Sequence, residues 1–155
     1  DLETSDGQVA TFGHAQVVLP FSNTIVVMDM TGAQLRAALE QQWIRKHADS
    51  QAEMLHPSHG LTYTWDASKP KGQRVVPGSV KLDGVAIDDA KTYRVAANNF
   101  LAEGGDGFTA FGEAANKRNT QILDLDAFLR YLVKRDKEGK PAGNAMPAGR
   151  VARVN

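Results

Sequence analysis

Residues 98–111 read NNFLAEGGDGFTAF, with three glycines (Gly104, Gly105 and Gly107) around one carboxylate, Asp106, and aromatics at Phe100, Phe108 and Phe111. Glycine tolerates φ > 0 and lets another molecule approach the backbone closely. A carboxylate held in such a turn can accept a pair of hydrogen bonds from a diol. A flat ring beside it can stack on a base or a sugar. By residue type this is a loop suited to a nucleoside, with an aromatic for the base and Asp106 for the ribose hydroxyls. The plainer reading is a glycine-rich turn in which Asp106 satisfies its own backbone and the phenylalanines belong to a core. Composition leaves both open.

A second segment, LPFSNTIVVMDMTGAQLRAALE at 19–40, stands in order with GLTYTWD at 60–66 and KTYRVAANNFLAEGGDGF at 91–108. Together they resemble the C-terminal domain of the 5′-nucleotidase family, two-domain, metal-dependent phosphohydrolases. The family includes bacterial periplasmic nucleotidases, UDP-sugar hydrolases and animal ecto-5′-nucleotidases. Its pattern in this region is P-F-G-N, a strand, T-G-x-x-L and a helix, and the resemblance runs from about Gln16 to Leu132.

What the resemblance implies is specific. Phe21 and Phe100 would sandwich the nucleobase, Asp106 would accept hydrogen bonds from the ribose, and Gly104 and Gly105 would shape the loop around it. Each base–aromatic contact is worth roughly 1–3 kcal/mol. Ser22 stands where the family usually has glycine. None of the family's metal motifs, such as D-x-H or G-N-H-E, occurs in these 155 residues. The resemblance therefore assigns two divalent ions (zinc, manganese or similar) to a separate N-terminal metallophosphoesterase domain and no cofactor to this chain. It implies that this chain alone is inactive, and that the whole enzyme is periplasmic or secreted and releases phosphate from nucleoside monophosphates. Two alternatives lie within the family, a 2′,3′-cyclic phosphodiesterase/3′-nucleotidase and a UDP-sugar hydrolase. A third is of another class, a non-catalytic nucleoside-binding or interaction module.

Composition narrows the classes independently. The 155 residues are 42% hydrophobic and 23% charged, as expected of one globular domain, residues 1–155, with a real core. Eighteen basic and eighteen acidic residues balance, which argues against an extended nucleic-acid footprint. No run of ~18 apolar residues is present to span a membrane. The opening DLETSDGQ lacks the pattern of a signal peptide; it reads as a cut through a longer protein, with residues 1–14 a lead-in. With no cysteine, disulfide and thiolate chemistry are excluded.

The elements that must position these residues can be read from periodicity. Gln16–Phe21 is expected to be a short strand. In NTIVVMDM, Thr24, Val26, Met28 and Met30 alternate with Ile25 and Val27, predicting a strand with a buried face. Thr31 and Gln34 form a capping box ahead of a helix carrying Leu35, Ala38, Leu39 and Trp43, expected to end in the polar stretch 45–53. Leu61, Tyr63 and Trp65 mark another strand, KPKG at 69–72 a turn, and Asp83-Gly84 a hairpin. Tyr93, Val95 and Ala97 mark the strand entering the glycine loop. Asp124 is placed to cap a last helix with Leu125, Phe128, Leu129, Leu132 and Val133 on one stripe, followed by a Gly/Pro-rich loop (139–149) and a closing strand. Pattern gives α+β; the resemblance refines this to two β-sheets stacked between helices in four layers.

The remaining polar candidates read as structural. His56 and His59 have H-x-x-H spacing, but Pro57 lies between them and no further ligand is near, whereas zinc takes three or four; no metal site is expected. His14 and His47 read as surface residues, Ser22 and Asn23 as turn formers, Phe108 and Phe111 as core. Arg36, Arg45 and Lys46 read as a solvated face.

Overall fold

The computed structural model describes residues 10–44, 54–140 and 149–155. Along the chain run α1 (Phe12–Val18), β1 (Thr24–Thr31), α2 (Gly32–Gln41), β2 (Leu61–Asp66), β3 (Lys81–Leu82), β4 (Val85–Ala86) and β5 (Thr92–Asn98). They are followed by α3 (Asn99–Ala102), α4 (Thr109–Gly112), β6 (Ala115–Leu123), α5 (Asp124–Lys137) and β7 (Val151–Val154). The strands form two sheets, one ordered β5-β1-β6 and the other β4-β3-β2-β7. This is the two-sheet α+β architecture that the sequence led us to expect.

The alternation in β1 decides its role. Val26, Met28 and Met30 point into the core and are almost wholly buried, each contributing roughly 1.5–3 kcal/mol by removal from water. Ala38, Phe108 and Phe111 pack in the same cluster, with Val95 and Ala97 of β5 alongside. A second cluster gathers Leu39, Trp43, Tyr63, Val75, Val80 and Ile87 around the other sheet, and Leu35 of α2 touches both. Helix α2 is thus one link between the two sheets; Leu55 also packs against both clusters, and β5 gives Val95 and Ala97 to the first and Tyr93 to the second.

Local chemistry explains why α2 starts where it does. The Thr31 hydroxyl accepts from the Gln34 amide at 3.2 Å, and the Gln34 carboxamide oxygen accepts from the Thr31 amide at 2.8 Å. This is the reciprocal cap expected from the sequence. At the other end, the Glu40 carboxylate accepts the backbone amides of Arg74 (3.0 Å) and Val75 (2.6 Å), fixing the segment after β2. Gln42, fully buried, accepts from the Leu55 amide (2.7 Å) and the Tyr63 hydroxyl (3.1 Å) and donates to the Leu39 carbonyl (2.6 Å). The Asp83-Gly84 hairpin forms with φ of 50° and 82° at its two central residues, as a two-residue turn joining twisted strands requires.

Three expectations need correction, and one strand was not foreseen. Gln16–Phe21 is no strand: α1 occupies Phe12–Val18 and a turn follows. Its β-branched valines carry the strand signal, but a Thr11–His14 capping box and buried Ala15 decide for helix. That box also gives His14 a structural role, and it begins within the expected lead-in, of which residues 1–9 lie outside the described residues. Helix α2 ends at Gln41, before the polar stretch 45–53, which with Arg45, Lys46 and His47 lies outside the described residues. Asp124 is the first residue of α5 rather than its cap; its carboxylate accepts from the adjacent Leu125 amide, at 2.7 Å. The unforeseen strand is β6 (ANKRNTQIL), which carries no apolar alternation to mark it.

Candidate functional site

The register of β1 and β5 determines where the candidate residues meet. The strands are antiparallel with Ile25 opposite Asn98, so the start of β1 and the end of β5 lie side by side. Phe21 precedes β1 by three residues and Phe100 follows β5 by two. Both segments therefore emerge at the same end of one strand pair. Both rings are open to solvent: Phe21 is 81% and Phe100 45% exposed. Neither belongs to the core, whereas Phe108 and Phe111 do, at 2% and 7%, packed edge to face with centroids 6.2 Å apart.

Hydrogen bonds join the two halves. The Asn99 carboxamide oxygen, beside Phe100, accepts from the Thr24 amide at 2.8 Å. Asn119 of β6 donates to the Thr24 hydroxyl at 2.7 Å, and the Asn23 carbonyl accepts from the Asp124 amide at 2.8 Å. The exit of the Phe21 turn is thus fixed to α3, β6 and α5. Within that turn Ser22 adopts a left-handed backbone, φ 54°, the conformation that favours glycine.

The Phe100 side begins with Asn98, whose side chain caps α3 by accepting from the Leu101 amide at 2.8 Å. Gly104 then turns left-handed, φ 87°. Gly105 serves a different purpose: a Cβ there would stand 2.6 Å from Cε1 and Cζ of Phe100. The Phe100 ring rests directly on the Gly105 backbone, and only glycine leaves room for it. Asp106 follows, exposed on a one-turn 3-10 segment (Gly105–Gly107) with φ 53°.

A sizeable cavity lies elsewhere among the described residues. It measures about 880 Å³ and opens among Leu35, Leu55, Val80, Tyr93, Phe111 and Phe128, with none of Phe21, Phe100 or Asp106 in its wall. The candidate site is an exposed face at a strand-pair end, not an enclosed pocket. Among the described residues no three His, Cys, Asp or Glu side chains converge as a metal site, and His56 and His59 are exposed on the segment before β2. Arg36 forms an ion pair with Asp89.

Residues 2–113 match the family model described as 5′-nucleotidase, C-terminal domain. The chain belongs to the 5′-nucleotidase family. It is 34% identical over 134 residues to the trifunctional nucleotide phosphoesterase protein YfkN of Bacillus subtilis, covering 84% of this chain and 9% of that protein. It is 35% identical over 144 residues to the cell wall protein Lmo0130 of Listeria monocytogenes, covering 92% of this chain and 17% of the relative. A crystal structure of the 5′-nucleotidase precursor from Thermus thermophilus superposes with a TM-score of 0.75 at 38% identity, over 94% of this chain and 28% of that one. The chain thus spans a minor part of the relatives it matches.

Within this family domain, two structural features of the candidate site escaped the sequence. Asn99 binds the two aromatic segments together, and the Asn98 cap before Leu101 was a legible sign that a helix begins there. The other is on β6, where Lys117 reaches back to the ends of α3 and α4. No pattern in its polar strand marks that residue.

Proposed function

We propose that this domain recognises the base and ribose of a nucleotide within a metal-dependent 5′-nucleotidase-type phosphohydrolase that releases phosphate from nucleoside monophosphates. The observation that carries this reading is the pairing of Ile25 with Asn98. It brings two exposed phenylalanines from segments 79 residues apart in sequence (100 − 21) to one end of a strand pair, with Asp106 on the adjoining loop. Exposed rings cost solvation unless a ligand or partner covers them. Phe21 and Phe100 supply stacking faces, and Gly105 leaves room for the ring of Phe100. Asp106 supplies an acceptor for the ribose diol, and Gly104 turns the loop towards it. The domain contributes by positioning, holding the nucleoside so that the phosphate is presented to catalytic groups outside this chain.

Those groups belong, in this reading, to an N-terminal metallophosphoesterase domain carrying two divalent ions. The partial coverage of the relatives supports a second domain. The described residues of this chain offer no donor cluster for the ions. A periplasmic or secreted location is part of the same reading, supported by the likeness to a cell wall protein. Among the described residues no helix is long and apolar enough to cross a membrane.

The test is Phe100→Ala in the whole protein that carries this domain. Removing one stacking face costs roughly 1–3 kcal/mol, in the ground state as much as in the transition state. KM for AMP is therefore expected to rise with a smaller change in kcat. An unchanged KM in a folded variant would contradict the assignment.

A further inference from the structure

We propose that Lys117 is a positioning residue for nucleotide recognition, an ammonium clamp that closes the loop between Phe100 and Phe111. The inference rests on the reading of Phe100 and Asp106 as nucleotide contacts. Lys117 stands on β6, outside every segment that suggested the site. Its Nζ donates to the carbonyl of Ala102, the last residue of α3, at 2.8 Å, and to the carbonyl of Gly112, the last residue of α4. These carbonyls end short helices, where the intrahelical acceptors run out of partners. One three-donor ammonium satisfies both.

Between the two carbonyls lies the whole glycine segment. Its limbs meet backbone to backbone: a Cβ on Gly104 would be 3.7 Å from the Thr109 Cα and 3.8 Å from the Gly112 Cα. Gln41 of α2 holds the start of α4, donating to the Thr109 hydroxyl at 2.7 Å and accepting from the Ala110 amide at 3.1 Å. Neither of those bonds reaches α3. Lys117 joins both limbs, and it does so two residues from Phe100 and four from Asp106 (102 − 100 and 106 − 102). Without the ammonium the loop regains freedom that its closure had removed. Phe100 then loses its fixed rest on Gly105, and Asp106 its fixed direction.

A residue acting in this way affects ground-state binding rather than chemistry. AMP hydrolysis is to be measured in the whole protein with Lys117→Met, which keeps the stem and removes the donors, Lys117→Arg, which keeps donors, and Phe100→Ala as reference. Lys117→Met is expected to raise KM about tenfold while kcat changes less than about threefold, and Lys117→Arg to restore most of the loss. Amide hydrogen exchange should quicken at residues 103–108 and stay slow in β1. If Lys117→Met does not fold, Lys117→Gln is read by the same criteria. A KM within about twofold of the parent, with Phe100→Ala still impaired, would overturn the clamp alone. So would faster exchange throughout β1, which marks a general stabiliser. If Phe100→Ala is also without effect, the reading of the site fails and the clamp with it.

Discussion

Ser22 holds a left-handed backbone at φ 54° in a position where the family motif usually has glycine. A side chain there costs on the order of 1 kcal/mol, partly offset because glycine would make the unfolded chain more mobile. Ser22→Gly is therefore expected to stabilise the protein by roughly 0.5–1 kcal/mol, read as a higher midpoint in urea with an unchanged slope. Gly105 presents the opposite case. With the Phe100 ring 2.6 Å from where a Cβ would be, Gly105→Ala must push the ring away. It should raise KM for AMP nearly as far as Phe100→Ala does, while the ring itself is still present. A Gly105→Ala enzyme with parental KM would show that the ring's resting place has no bearing on binding. Glycine's presence in this loop was legible in the sequence. Its purpose was not, because a close approach by a residue five positions earlier depends on how α3 turns.

At the scale of elements, apolar period and capping chemistry carried most of the information. β1 declared itself through Val26, Met28 and Met30, α2 through the Thr31–Gln34 box, and the β3–β4 hairpin through Asp83-Gly84. β6 stayed hidden for a physical reason. It is an exposed edge strand of mostly polar residues, interrupted by left-handed Asn116 (φ 50°) and Gln121 (φ 61°). Side-chain bonds supplement its ladder, such as Thr120 donating to the Ile25 carbonyl at 2.8 Å, and binary pattern does not encode such bonds. The junction between α2 and β2 yields two predictions. Gln42→Ala strands the part-buried Leu55 amide and the buried Tyr63 hydroxyl and should cost roughly 2–4 kcal/mol in denaturant unfolding. Burial raises the Tyr63 pKa, with the Gln42 hydrogen bond opposing it. The native state therefore holds that proton more tightly than the unfolded chain does. The stability this gives is fully present below the unfolded pKa of about 10 and lost as pH rises through the higher native value. In Tyr63→Phe that part of the alkaline fall in stability should disappear; an identical fall in both proteins would contradict it.

For the molecule as a whole, a two-sheet domain presents its candidate ligand face at one end of the β1–β5 pair, fastened from three sides. The reading divides labour between domains, so this chain incubated alone with AMP and a divalent metal should release no phosphate above background. Metal-dependent turnover by the isolated chain would end that division. Asp106→Asn keeps size and removes the charge that strengthens hydrogen bonds to a diol. It should lower the ratio of kcat/KM for AMP over dAMP, since the deoxyribonucleotide offers one hydroxyl fewer. An unchanged ratio in a folded variant would make Asp106 a turn residue. The most direct test is a crystal structure of the whole protein with AMP bound. The account predicts the adenine between the rings of Phe21 and Phe100, the three planes roughly parallel, and the ribose hydroxyls on the Asp106 carboxylate. Adenine seated away from both rings, for instance in the cavity beside Leu35, Tyr93 and Phe128, would contradict it.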